Sequence, residues 1–263
     1  MNHVPRKRFG QHFLRDASVV DAIVTAIAPA PSDRIVEIGP GLGALTRPLA
    51  ARVDRLHAIE IDRDIAARLR QEYPPDRVIV HVGDALDFDF TALGSELRVV
   101  GNLPYNISTP LLFHLARHAA AIRDIHVMLQ REVVERMVAR PSGAEYGRLS
   151  VMLQYRFEMK RLFIVPAGAF HPAPKVQSAV VRLVPFAKLP YPAQSEERLA
   201  KLVAAAFSQR RKTLRNSLKA FFTGSDWKRL GIDPGLRAET LSVEEFVRLA
   251  NEPVAGVSPS CAG

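Results

Sequence analysis

A single cysteine, Cys261, among 263 residues leaves no partner for a disulfide and no cysteine-rich metal site. That scarcity suits a reducing compartment, and the expected location is the cytoplasm. No apolar run approaches the roughly 18 residues that a membrane span needs. The amino-terminal basic residues are not followed by an apolar segment, so no secretory leader is expected. No metal is expected. Acidic residues are also in short supply, 27 against 36 Lys and Arg. The excess gathers at Arg6-Lys7-Arg8 and between Arg210 and Lys219, which favours a polyanionic partner, nucleic acid before membrane. Apolar content of 48% and charged content of 24% are those of a globular chain with material for a substantial core.

Apolar positions Val19, Val20, Ile23, Val24 and Ile27 recur at helical spacing before Pro29, so residues 16–28 read as a helix. Strand and helix signals then alternate. Strands are expected at Arg34–Ile38, Leu56–Ile61, Arg77–Val82, Leu97–Gly101 and Ile125–Leu129. Helices are expected at Ala44–Arg52, Ile65–Glu72, Thr109–Ala121 and Val133–Val138. Short apolar strands separated by helices imply a mostly parallel sheet covered on both faces, an α/β architecture of Rossmann-like type. Leu149–Phe157, Leu162–Val165 and Val176–Val184 read as strands without helices between them, so the sheet is expected to end in an antiparallel hairpin. Pro185–Pro192 reads as a linker, followed by helices at Glu196–Phe207, Arg211–Phe222, around Trp227 and at Val243–Leu249. The domain expectation is 1–190, a small helical domain at 191–250, and a disordered tail at 251–263.

Three features carry chemistry. Val36-Glu37-Ile38-Gly39-Pro40-Gly41-Leu42-Gly43 stands where the first strand turns into a helix, and its glycines let the backbone approach a ligand. Gly39, Gly41 and Ala44 also satisfy the looser dinucleotide fingerprint, with Glu60 about 20 residues on, so a nicotinamide enzyme is one reading. Glu60 and Asp84 end consecutive strands beside the glycine turn. Together they favour an adenosyl ligand without pyrophosphate, S-adenosylmethionine; singly, each acid also fits a helix N-cap. The third feature is Asn102-Leu103-Pro104-Tyr105. An Asn side chain and a Pro carbonyl aimed at an exocyclic amine would favour a pyramidal nitrogen with a localised lone pair, while Tyr105 stacks on the base. The same tetrad also fits a strand-end turn in which Pro sets φ and Tyr packs on the core.

The ordered set Arg8–Leu14 (RFGQHFL), Val36–Thr46, Gly101–Thr109 (GNLPYNIST), Phe170–Val181 (FHPAPKVQSAVV) and Phe207–Leu218 (FSQRRKTLRNSL) resembles the small-subunit ribosomal RNA adenine dimethyltransferases over about residues 5–250. The long GNLPYNIST and FSQRRKTL stretches favour that family over the macrolide-resistance methylases of large-subunit rRNA and over DNA adenine methylases. The resemblance implies a Rossmann-like methyltransferase domain followed by a small helical one. It also implies methyl transfer from S-adenosylmethionine to N6 of two adjacent adenosines in a loop near the 3′ end of 16S rRNA, within the immature small subunit. The family's cofactor contacts fall on His12, Leu14, Gly39, Glu60, Asp84 and Asn102, with Gly41, Ile61 and Ala85 beside them; the family often has Asn where this chain has His12. The adenine site falls on Asn102, Leu103, Pro104 and Tyr105, with Phe170 expected to sandwich the base against Tyr105. Lys175, Arg210, Arg211, Lys212 and Arg215 are the expected RNA contacts, although a charged run of this kind also fits an ordinary solvated helix face. A monomer is expected, since the basic surface must stay open. An assembly factor that binds immature subunits, with methylation secondary, is a compatible reading.

Overall fold

A computed structural model describes residues 12–209 and 211–253; the Arg6–Arg8 cluster, Arg210 and Cys261 lie outside the described residues. The chain separates into two compact units, residues 1–135 with 156–187 and residues 136–155 with 188–263. Where the sequence suggests one boundary near residue 190, the second compact unit comprises Arg136–Tyr155 from the middle of the chain as well as the stretch from Lys188 onward.

The first unit begins with the two-residue strand β1 (Phe13–Leu14) and helix α1 (Ala17–Ile27). Asp16 caps α1 by accepting from the amides of Ser18 and Val19, and Ile23, Val24 and Ile27 are its buried face. Strands β2 (Arg34–Ile38), β3 (Leu56–Glu60) and β4 (Val78–Val82) follow, linked by α2 (Thr46–Ala50) and α3 (Arg63–Glu72). Then come β5 (Leu97–Asn102), α4 (Ser108–Arg117), β6 (Ile122–Gln130) and the first turn of α5 (Arg131–Val138); the rest of α5 and the following α6 (Arg148–Gln154) are assigned to the second unit. Strands β7 (Phe157–Val165), β8 (Phe170–His171) and β9 (Ser178–Pro185) complete the unit.

Seven strands make one sheet in the order β4-β3-β2-β5-β6-β9-β7. The pairs among β2 to β6 are parallel, and β9 lies antiparallel between β6 and β7, the closing hairpin anticipated from sequence. From β2 the chain moves outward through β3 and β4, then returns to β5 on the other side. That reversal opens a crevice at the carboxyl ends of β2 and β5, where doubly wound sheets hold ligands. Strand β1 pairs separately with β8, Leu14 opposite Phe170. Ile35, Leu56, Val78, Val100, Met128 and Val180 form the apolar core with Phe13, Leu14 and Phe170.

The second unit is helical: α6, α7 (Glu196–Ala206), α8 (Leu214–Ser217), α9 (Gly224–Leu230) and α10 (Val243–Asn251) bury Val151, Tyr155, Leu202, Leu214, Trp227 and Phe246 in one core. Two expectations are corrected here. Leu149–Phe157 alternates apolar residues like a strand, yet Arg148–Gln154 is helix α6. The Gly147 amide donates to Ser150 Oγ to start that helix, and Val151 and Tyr155, one turn apart, enter the second core. The helix expected over Arg211–Phe222 shrinks to α8, because the amides of Leu214 and Arg215 donate to the carbonyls of Leu236 and Pro234 instead of continuing a helical ladder. At the carboxyl end, Asn251 still belongs to α10 and accepts from the Gln194 amide at 2.7 Å, so order runs past the expected start of the tail.

Candidate functional site

The glycine turn after β2 demands glycine. Gly39, Gly41 and Gly43 have φ of +66°, +54° and +84°, and a Cβ on Gly41 would stand 3.1 Å from the Phe13 ring. Gly101, just before the Asn-Leu-Pro-Tyr tetrad, is required by close approach: a Cβ there would lie 2.5 Å from the Ile38 carbonyl oxygen. These small residues let the ends of β2 and β5 pack tightly while their loops open into a common space. That space is a cavity of about 320 Å³. His12 and Leu14 of the β1 segment, Gly39 and Gly41 of the turn, and Glu60 and Ile61 at the end of β3 line it. Asp84 and Ala85 after β4, and Asn102, Leu103, Pro104 and Tyr105 after β5, complete the wall. The residues expected to hold a cofactor and the tetrad expected to receive a base therefore border one cavity.

The carboxylates are held by backbone amides. Glu60 accepts from Asp62 N at 2.9 Å and Gly41 N at 3.3 Å, one bond to each oxygen. Each oxygen keeps a lone pair for a further donor. Burial pushes the Glu60 carboxyl up, and these amides pull it back. Asp84 accepts from the Leu86 amide at 2.9 Å through one oxygen. Asp62, by contrast, serves as the N-cap of α3.

In the tetrad, Asn102 Nδ2 donates to the His12 carbonyl at 2.9 Å, which assigns Oδ1 as the acceptor left on the amide. Tyr105 Oη and Ser178 Oγ are 2.7 Å apart, so the ring is tethered by a residue inside the Phe170–Val181 stretch. The His12 ring lies against Tyr105 with centroids 5.6 Å apart and planes 30° from parallel, and its Nδ1 donates to the Pro172 carbonyl at 2.8 Å. His12 thus joins β1, the tetrad and the loop around Pro172. Leu103 is buried beneath the site. Phe170 differs from expectation. It is 4% exposed, packed in the sheet core and absent from the cavity wall. Its antiparallel pairing with Leu14 fixes the backbone, and an aromatic ring there gains more from core burial than from facing solvent.

Sequence reasoning missed Glu37, which also lines the cavity and is 2% exposed. The signal was available: a lone carboxyl inside the apolar strand Arg34–Ile38, whose other inner residues are all buried. Burial pushes this carboxyl up to about 7, with Thr46 pulling it down and the Glu60 charge pushing it further up. A carboxyl raised in the folded state favours the protonated fold. Its stabilising contribution is complete below the unfolded value near 4.5 and is lost as pH rises through about 7. Ligand-free Glu37→Gln should therefore gain about 2–3 kcal/mol on the wild type between pH 5 and pH 8. Chemical denaturation at the two pH values measures this; parallel profiles for the two proteins would refute it.

Among the expected RNA contacts, Lys175 is exposed in the first unit, and Arg211, Lys212 and Arg215 are exposed in the second; Arg210 lies outside the described residues. Leu214 and Leu218, within the same stretch, are buried in the second core, so the charges occupy the outward positions. No group of three or more His, Cys, Asp or Glu that could hold a metal occurs among the described residues, and no helix among them is long and apolar enough to cross a membrane.

Ribosomal RNA adenine dimethylase is the family whose pattern matches this chain, over residues 2–253. The chain is 61% identical over 251 residues to the ribosomal RNA small subunit methyltransferase A of Laribacter hongkongensis, covering 95% of this chain and 96% of the relative. Among solved structures, a dimethyladenosine transferase from Plasmodium falciparum superposes with a TM-score of 0.76 at 24% identity, covering 90% of this chain and 96% of that one. The 23S rRNA methyltransferase ErmE superposes with a TM-score of 0.70 at 26% identity, covering 90% and 97%.

Proposed function

The chain belongs to the ribosomal RNA adenine dimethylase family, and on that footing we propose how its cavity serves methyl transfer to N6 of two adjacent adenosines near the 3′ end of 16S rRNA. The observation that carries the proposal is the shared cavity, in which the glycine turn, two strand-end carboxylates and the tetrad converge. S-adenosylmethionine would supply an electrophilic methyl group carried on a sulfonium. The donor set fits it: Glu60 for the ribose hydroxyls, Asp84 for the adenine amine, Ile61 and Ala85 for the flat faces of the base, and a glycine turn that admits close backbone approach. His12 and Leu14 would close the site from β1.

The tetrad's task is to present the target amine. Asn102 Oδ1, oriented because Nδ2 is committed to the His12 carbonyl, accepts one N–H. The Pro104 carbonyl accepts the other. Acceptors fixed in place before reaction favour a pyramidal nitrogen with its lone pair free, which is stabilisation of the transition state by preorganisation. Tyr105, tethered through its hydroxyl to Ser178, offers its ring to a base that has left its stack, a contact of about 1–3 kcal/mol. The alkylated amine is acidic, so water suffices to take its proton and no general base is assigned.

Lys175, Arg211, Lys212 and Arg215 would contact RNA phosphates, positioning the substrate without reading sequence. Arg210 joins them on sequence grounds. The substrate is the immature small subunit in the cytoplasm, and the enzyme acts as a monomer with its basic surface open. Neutralising Arg211 and Lys212 together to Gln should weaken subunit binding and reduce the slope of log affinity against log salt by about 1–2. An unchanged slope would return those charges to the solvent. Calorimetry tests the donor assignment directly: S-adenosylmethionine should bind at a single site and NADH should give no heat, and the reverse result would favour the dinucleotide reading of the glycine turn.

A further inference from the structure

The Pro104 carbonyl already has donors. Ser108 Oγ donates to it at 2.9 Å and the Ile107 amide at a longer 3.3 Å. Ser108 is 1% exposed, stands at the start of α4, and bonds back to the carbonyl four residues earlier. A hydroxyl buried this deeply against a residue of the cavity wall bears on a difficulty that dimethylation creates. The unmethylated amine offers two N–H groups to two acceptors, whereas the monomethylated amine offers one. A site matched only to the first substrate would leave a desolvated carbonyl unpaired in the second round, and an unpaired buried acceptor is costly.

We propose that Ser108 is a positioning residue for the second methyl transfer, its hydroxyl satisfying the Pro104 carbonyl when the amine has a single N–H left to give. The inference rests on the function proposed above. In both rounds the nitrogen lone pair forms the new N–C bond while the S–C bond breaks and its electron pair stays on sulfur; the surplus amine proton goes to water. In the first round the amine and Ser108 are the two close donors to the carbonyl oxygen, with the Ile107 amide remaining at its longer distance. In the second round the amine's remaining N–H goes to Asn102 Oδ1, and Ser108 alone keeps the Pro104 oxygen well paired. Without the hydroxyl, the first round loses little, because the amine itself pairs the carbonyl. The second leaves it only the long contact to the Ile107 amide.

The test follows the time course of N6-methyl- and N6,N6-dimethyladenosine in nucleosides from unmethylated small subunits, giving separate rate constants for the two transfers. Ser108→Ala should lower the second about tenfold and the first by no more than about twofold, so the monomethylated nucleoside accumulates. Ser108→Thr, which keeps the hydroxyl, should restore the wild-type ratio. A binding measurement on donor-free protein gives a readout independent of turnover. Ser108→Ala should lose about tenfold in affinity for dimethylated subunits relative to unmethylated ones, while the wild type shows no such added loss. Equal changes in both rate constants, or equal changes in both affinities, would overturn the inference; a partly unfolded variant gives that equal change. Wild-type protein that labels no adenosine would remove the parent function and this inference with it. Dimethylation with an unaltered ratio in Ser108→Ala removes the inference alone.

Discussion

Asn102→Ala should lower methyl transfer by about 100- to 1,000-fold while leaving small-subunit affinity within about twofold of the wild type. The amide has two jobs in the cavity. Its Nδ2 is committed to the His12 carbonyl at 2.9 Å, and its Oδ1 is thereby turned to act as an acceptor. Alanine removes both, so the amine loses a preorganised partner and the β1 segment loses its tie to β5. Asn102→Asp separates the two effects. The acceptor survives, but a carboxylate oxygen now opposes the His12 carbonyl, and the side chain must turn away or take up a proton. Activity should fall nearly as far as in the alanine variant at pH 8 and recover in part at lower pH, as the protonated acid regains a donor. Single-turnover rates across that range are the measurement, and full activity in Asn102→Ala would end the acceptor role.

Tyr105→Ala should cost about 10- to 100-fold in transfer, the loss expected when a stacking ring is removed from an unstacked base. Tyr105→Phe is the informative partner. It keeps the ring but gives up the hydrogen bond to Ser178 at 2.7 Å, leaving the ring free to swing against His12. A loss of about 3- to 10-fold is expected, on the order of one neutral hydrogen bond. Ser178→Ala should reproduce the phenylalanine phenotype, and the two changes together should cost no more than either alone. Burial and not a charged partner raises the Tyr105 hydroxyl, so the residue stays neutral through the working pH range and is no proton acceptor. If the phenylalanine variant lost as much as the alanine one, the hydroxyl rather than the ring would carry the function.

Much of the first unit is legible in sequence because local pattern and tertiary context agree there. Arg34–Ile38 and Leu56–Glu60 are buried along nearly all their length, and Ile35, Val36, Ile38, Leu56, Ala58 and Ile59 include neighbouring positions rather than the strict alternation of a half-exposed strand. Gly39 and Gly41 mark a turn that other residues resist. The second unit shows where that agreement fails. Leu149, Val151, Leu153, Tyr155 and Phe157 alternate like a strand, but a capped start at Gly147 and a helical core set the segment as a helix as far as Gln154. Arg211–Phe222 has helical spacing, yet the amides of Leu214 and Arg215 bond to the segment 234–236, a partner that no local window contains. The same limit applies in the site. Motif matching found Asn102 and Tyr105, but the atoms that orient them belong to His12, Ser178 and Pro172, distant in sequence and brought together by the β1–β8, β5–β6 and β6–β9 pairings. Phe170 shows the converse, since a residue inside a functional motif can be core packing in the fold.

One cavity serving both the methyl donor and the target amine is best tested by the fate of the methyl group. Unmethylated small subunits incubated with this protein and methyl-labelled S-adenosylmethionine, then digested to nucleosides, should carry the label in N6,N6-dimethyladenosine, and Asn102→Ala should label that nucleoside at least about 100-fold more slowly. Label absent from adenosine, placed on another base, or undiminished in the Asn102 variant would contradict the account.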